Sequence, residues 1–209
     1  IRAIVLLFTA TYMVSYMTRI NFGAVITEIV AQTGMTKSML SAAVTGSAIT
    51  YGIGQVVSGY VGDRLSPKRL ILCGLLVSTA MNCLILFCRD HIQMTVTWCI
   101  NGMAQAFMWP PMVKLMVGLF TEKDYKRATT MVNWGSSFGT IAIYLGAPLA
   151  IMVSGWKSLF VFTALTGIAM AILWQRSCPE LPKAPKTEGR ARENAEGSVA
   201  GRFPLAALG

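Results

Sequence analysis

"GYVGDRLSPKRL", residues 59–70, is the stretch on which the reading of this chain turns. It leaves an apolar run, crosses one carboxylate, three cations and a proline, and enters another apolar run. Gly59 has no side chain to hold a neighbouring helix away. Asp63 stands where it can cap a helix end or pair with a cation. Arg64, Lys68 and Arg69 anchor a turn in water. Pro67, with its fixed φ and no amide hydrogen, ends helical geometry there. The stretch is a tight polar turn between two helices, and its flanks determine what kind of helices they are.

The flanks are apolar over lengths that a soluble domain has no use for. A helix crosses a bilayer with roughly 20 mostly apolar residues. Six segments meet that test, about 3–30, 38–61, 70–88, 92–119, 127–153 and 156–175. The chain has 209 residues, 54% of them hydrophobic and 13% charged, and a mean hydropathy of +0.56. Soluble domains carry about 25% charged residues. No basic start, short apolar core and small-residue cleavage site occur together, so none of the six is a signal peptide. The fold class predicted is an all-α membrane protein with a six-helix bundle over 1–175.

The net charge of +9 does not point to nucleic acid, because the cations collect at alternate connections. Arg64, Lys68 and Arg69 lie in one loop, and Lys123, Lys126 and Arg127 in another. Six more cations follow residue 175. The connections of the other side hold Lys37, Arg89 and Lys157. Positive charge gathers in cytoplasmic loops, which predicts that both ends of the segment are cytoplasmic. No basic stripe with interleaved aromatics supports a nucleic-acid surface. Residues 176–209, rich in Pro, Glu, Lys and Arg, cannot bury enough apolar surface to order themselves and read as a polar linker or tail. The chain starts at Ile1 almost inside the first span, and is expected to be a piece of a larger protein.

Residues at i, i+4, i+7 and i+11 share a helix face. Tyr12, Tyr16, Arg19 and Gly23 align in span 1, and Ser47, Tyr51, Gln55, Ser58 and Gly62 in span 2. Asn101, Gln105, Met108, Trp109 and Met112 align in span 4, and Asn133, Ser137, Thr140 and Tyr144 in span 5. Spans 3 and 6 are poorer, with Asn82 in one and Thr163 and Thr166 in the other. Spans 1, 2, 4 and 5 are therefore expected to surround a wet cavity, although hydroxyls and amides also join membrane helices to one another. Arg19 carries the most weight. An uncompensated arginine at mid-bilayer costs at least about 2.5–3.5 kcal/mol, and Glu28 is more than two turns away. A guanidinium matches carboxylate or phosphate oxygens in bidentate fashion. The expected ligand is a small anion, although a carboxylate elsewhere in a longer protein is the alternative partner. Pro110 and Pro111 predict a kink in span 4, Lys114 can reach Asp63, and Gly135 and Gly139 form a packing GxxxG. Five cysteines form no CxxC pair, and no metal-ligand spacing, nucleophile motif or cofactor signature appears, so no enzyme is expected.

The 59–70 stretch resembles the Gly-xxx-Asp-Arg-x-Gly-x-Lys/Arg-Arg motif of the major facilitator superfamily, with Ser66 in place of the second glycine. "YMTRINF" (16–22), "FMWPPMVKLM" (107–116) and "VNWGSSFG" (132–139) look like strings of its organophosphate:phosphate antiporters, which include glycerol-3-phosphate and hexose-phosphate transporters. The resemblance implies the amino-terminal six-helix half of a transporter, with Arg19 as phosphate clamp and a second arginine in a missing six-helix half. It implies alternating access by rocking of the two halves. Gly59, Asp63, Arg64, Lys68, Arg69 and Lys114 would serve the conformational switch. Tyr12, Tyr16, Gln55, Trp109, Asn133 and Ser137 are lining candidates beside Arg19. That family commonly has a lysine where Gln55 stands and a histidine where Ser137 stands. The implied function is secondary transport of an organophosphate-like anion in exchange for phosphate, in a bacterial inner membrane. A membrane sensor of a phosphorylated sugar and an ion-coupled carboxylate or sugar-acid symporter are the alternatives. The implied partners are substrate, counter-ion, lipid and the second half.

Overall fold

The computed structural model describes residues 1–180 of the chain. Its helices are α1 (Arg2–Thr33), α2 (Lys37–Gly62), α3 (Pro67–Leu84), α4 (His91–Gln105), α5 (Trp109–Leu119), α6 (Glu122–Ser154) and α7 (Trp156–Ser177), and a 3₁₀ turn, Ile85–Phe87, follows α3. No strand occurs among the described residues. Residues 181–209, most of the expected polar tail, lie outside the described residues, while Arg176 and Ser177 still belong to α7.

The connections are short, and side chains start the helices. Thr36, Asp90 and Thr121 accept from the backbone N–H groups of Met39, Gln93 and Asp124, which meets amides that a helix start leaves without partners. Gly34 ends α1 in the left-handed region, at φ 72°. Pro67 is the first residue of α3 rather than the end of α2, where its missing N–H costs nothing.

Five helices, α1, α2, α3 with its 3₁₀ turn, α6 and α7, are long and apolar enough to cross a membrane. The fourth apolar segment is cut into α4 and α5. The cut falls before the two prolines, at Ala106–Met108, and the expected kink is a break. Phe107 and Met108 donate to Ala104 and Gln105 in tight i→i−3 bonds, and α5 opens at Trp109 with Pro110 in its first turn. A proline cannot donate to the carbonyl four residues back. Pro110 therefore leaves the Ala106 oxygen without its helical donor, and Gln55 Nε2 on α2 supplies one at 3.4 Å.

Helices approach closely where glycine faces backbone. A Cβ on Gly139 of α6 would meet the Met13 carbonyl of α1 at 2.5 Å, and one on Gly135 would strike the Thr9 carbonyl. The expected GxxxG thus packs α6 on α1. On α2, Gly46 and Gly54 face Cys99 and Ala106 of the fourth segment. Gly59, expected to permit such a contact, has no atom within 4 Å of where its Cβ would be.

Two apolar clusters fill the bundle. One gathers Phe8, Ile71, Leu75, Met112, Leu115 and Trp174 at the end bearing the basic turns. The other gathers Phe22, Ile29, Leu40, Trp98, Trp156 and Phe160 towards the opposite end. Between them runs a buried polar layer. Asn82 Nδ2 donates to the Thr18 carbonyl at 3.0 Å, and Asn21 Nδ2 to Asn82 Oδ1 at 2.6 Å and Thr163 Oγ1 at 2.8 Å. Ser78 donates to Asn101 at 2.7 Å, Gln105 Nε2 to Ser78 Oγ at 2.8 Å, and Ser15 to Gln105 Oε1 at 2.5 Å. Asn101 and Gln105, expected to line a cavity, are instead buried where α1, α3 and α4 meet. Asn82 and Thr163, on the two spans read as polar-poor, are equally central. An unpaired amide in this position would cost more than the apolar residue it replaces, so these groups find one another.

Candidate anion-binding site

Arg19 sits in the middle of α1, half-buried, on the face next to the one that carries the polar layer. The two ion pairs among the described residues, Lys114–Asp63 and Lys126–Glu122, do not involve it. Its guanidinium carbon stands 3.8 Å from the ring centroid of Tyr51 on α2 and 5.8 Å from that of Tyr16. A cation over an aromatic face is held by the ring's quadrupole. The guanidinium N–H groups make no ion pair among the described residues.

The aromatic contacts continue along α1. Tyr16 meets Tyr12 edge-on at 5.1 Å between centroids, and Tyr12 meets Trp109, the first residue of α5, at 5.1 Å. A cavity of ≈190 Å³ beside Arg19 is lined by Gly23, Ser47, Trp98 and Tyr144 among others. The structure thus brings Arg19, Tyr16, Tyr12 and Trp109 into one row, with Tyr51 added. The signal for Tyr51 was present in the Ser47–Tyr51–Gln55 spacing of α2. The remaining candidates stand differently. Gln55, one turn from Tyr51, gives its amide to the broken segment. Asn133 and Ser137 are exposed on α6, and Asn133 donates within its own helix to the Thr129 carbonyl at 3.0 Å. They lie on the α6 stripe that Tyr144 continues to the cavity.

At the basic end, Lys114 Nζ donates to the Gly62 carbonyl at 2.6 Å and lies 3.3 Å from Asp63 Oδ1, which ties the end of α2 to α5. Arg64 stands over the Tyr60 ring at 4.5 Å, Arg69 is exposed, and the Lys68 carbonyl accepts from Trp174 Nε1 of α7 at 3.0 Å.

A sequence profile described as Major Facilitator Superfamily matches residues 8–208. The chain belongs to the Major Facilitator Superfamily. Within the superfamily it resembles the organophosphate:phosphate antiporters. It is 26% identical over 164 residues to a probable hexose phosphate transport protein of Chlamydia muridarum, covering 78% of this chain and 36% of that protein. It is 29% identical over 166 residues to a glycerol-3-phosphate transporter of Bacillus subtilis, covering 76% of this chain and 36% of the relative. To the membrane sensor protein UhpC of Salmonella typhimurium it is 26% identical over 166 residues, covering 78% and 38%. A bacterial homologue of the human lysosomal transporter Spinster, inward-facing and unoccupied, shares the fold with a TM-score of 0.78 at 15% identity, over 88% of this chain and 44% of that one. The chain spans less than half the length of these superfamily members. It is a multi-pass membrane chain of their fold.

Proposed function

We propose that this chain forms the amino-terminal half of a secondary transporter that exchanges a small organophosphate for phosphate by alternating access. The observation that carries the reading is the Arg19 guanidinium, half-buried in the middle of a membrane helix, held over the Tyr51 ring and bordering a cavity. A phosphate or phosphate ester would accept from its N–H groups in bidentate fashion. Tyr12, Tyr16 and Trp109 would wall the path to it, and Gln55, Asn133 and Ser137 would line the adjoining space once a second six-helix half closes over α2 and α6. Asp63 with Lys114, flanked by Gly59, Arg64, Lys68 and Arg69, would act as a catch at the cytoplasmic face, made or broken as the halves rock. The setting would be a bacterial-type inner membrane with both ends of the segment in the cytoplasm, and no catalysis of bond chemistry is involved. The names of the hexose-phosphate and glycerol-3-phosphate relatives support the substrate class. The likeness to UhpC supports a second reading, a sensor that keeps the anion site without turnover.

The test is exchange of labelled phosphate in phosphate-loaded proteoliposomes, using the protein and its Arg19→Lys variant. Lysine keeps the charge and loses the fork. Losing one charge-assisted bond of about 1.5–3 kcal/mol predicts a fall in apparent affinity of roughly 10- to 100-fold. Exchange unchanged in the variant would remove Arg19 from the site. Phosphate bound without exchange would select the sensor.

A further inference from the structure

The two pieces of the fourth apolar segment are held by different neighbours. Gln105, the last residue of α4, is buried and fixed, with Nε2 donating to Thr18 Oγ1 at 3.0 Å and to Ser78 Oγ at 2.8 Å. The attachments of α5 lie elsewhere. Its first residue, Trp109, packs on Tyr12 with ring centroids 5.1 Å apart, at the end of the row that leads through Tyr16 to Arg19. Lys114, a turn and a half further along, donates to the Gly62 carbonyl at 2.6 Å and lies 3.3 Å from Asp63. That separation is about 7.5 Å of helix, so one short rigid piece touches both places. Pro110 and Pro111 have no N–H, so the Ala106 and Phe107 carbonyls lose the helical donors that would tie α5 to α4.

The packing around α5 suits movement at this break. Met108, Met112, Leu115 and Met116 make its buried side, and unbranched methionine adapts to a shifted neighbour. Ser58 on α2 stands one turn from Gly54, which faces Ala106, and one turn from Gly62, whose carbonyl takes Lys114. It therefore looks onto the start of α5. Its Oγ is fully buried and has no hydrogen-bond partner among the described residues, although an unpaired buried hydroxyl is costly.

We propose that α5 is a rigid lever with two positions, pivoting at Ala106–Met108, so that the Lys114–Asp63 pair and the aromatic row of Arg19 move together. An anion on Arg19 shifts Tyr16, Tyr12 and Trp109, α5 swings on the break, and Lys114 leaves Asp63. In the swung position the Ser58 hydroxyl takes the Phe107 carbonyl. Both side chains of the ion pair are exposed, and such a pair is weak enough to open. The trigger rests on the anion reading of Arg19, while the pivot does not.

The test places spin labels at Val117→Cys on α5 and Leu76→Cys on α3, in the protein without its native cysteines, in lipid nanodiscs. Both positions are exposed, and α3 is held to the polar layer through Ser78 and Asn82. Expected is a change in the distance between the labels on adding phosphate, and the same change without phosphate in Lys114→Gln. Restoring the helical donors with Pro110→Ala and Pro111→Ala together should abolish both. Phosphate affinity is the second readout. Losing a cation weakens anion binding through its field alone, as Lys126→Gln should show. Lys114→Gln should instead raise the affinity roughly two- to five-fold, because binding no longer has to break the pair. An unchanged distance in Lys114→Gln, or a change that survives in the proline variant, would overturn the pivot. Phosphate bound with the labels still, or an affinity not raised in Lys114→Gln, would overturn the coupling to Arg19. Absence of phosphate binding in the parent would defeat the anion reading, and the Lys114→Gln distance alone would then decide the pivot.

Discussion

A cation and a set of amides share the middle of α1, and they are stabilised in opposite ways. Thr18 and Asn21 turn inward and are satisfied by neighbours, whereas Arg19, one residue away, turns towards an aromatic row and makes no ion pair among the described residues. The amides hold the bundle's middle together, and Asn82 is their hub. It donates to the Thr18 and Ser78 carbonyls and accepts from Asn21 and Thr163. Replacing Asn82 with Ala leaves Asn21 short of one acceptor, leaves the Thr18 carbonyl without the Asn82 donor, and turns Thr163 back on the Phe160 carbonyl alone. The expected cost is about 1–3 kcal/mol, the penalty for buried polar groups left unmade. Ser137→Ala, at an exposed position, should stay within about 0.5 kcal/mol. Equilibrium unfolding in detergent reads both, and equal stability of the two variants would mean that the polar layer does not hold the bundle.

At the scale of the element, the fourth segment shows how a break is accommodated inside a membrane. Backbone groups without partners are costly in hydrocarbon, so the carbonyl released by Pro110 requires a donor from another helix, and Gln55 gives one. This pairing makes a double-mutant cycle decisive. Gln55→Leu should cost about 1 kcal/mol in the parent protein. In a Pro110→Ala background the new backbone N–H can serve Ala106, and the same change should cost less than about half as much. Equal costs in both backgrounds would show that Gln55 does not serve this carbonyl. The cycle also bears on what sequence could tell. The six apolar runs, the turn at 63–66 and the disturbance near Pro110 were legible, because length, charge and missing amides are local properties. The side on which a polar residue is used was not. Asn101 and Gln105 have the spacing of a cavity stripe, and that spacing is the same whether a stripe meets water or the amides of α1 and α3. Gly59 shows the same limit, since a small residue permits a close approach but does not say that a helix is there.

For the molecule as a whole, the clearest signal is asymmetry. α2 and α6 leave Ile49, Ile53, Val56, Trp134, Phe138 and Leu145 exposed, while α1 is buried along much of its length. Apolar surface is legible in sequence, but which part of it meets lipid and which meets protein is set by assembly. Charge asymmetry is readable in advance and makes the orientation testable. Asp63–Ser66, the start of α6 and the end of α7 share one end of the bundle, as the Lys114–Asp63 pair and the Trp174–Lys68 hydrogen bond require. Lys37, Arg89 and Lys157 mark the other end. Cations favour the cytoplasmic side, so the first end should lie inside the cell. In a variant without the five native cysteines, Ser66→Cys and Lys123→Cys should react with a membrane-impermeant maleimide only after the cells are opened. Lys37→Cys and Lys157→Cys should react in intact cells. The reverse pattern would invert the bundle. It would put the Asp63–Lys114 ion pair outside the cell. Labelling of both ends in intact cells would mean two orientations, and the loop charges would then be too weak to orient this chain.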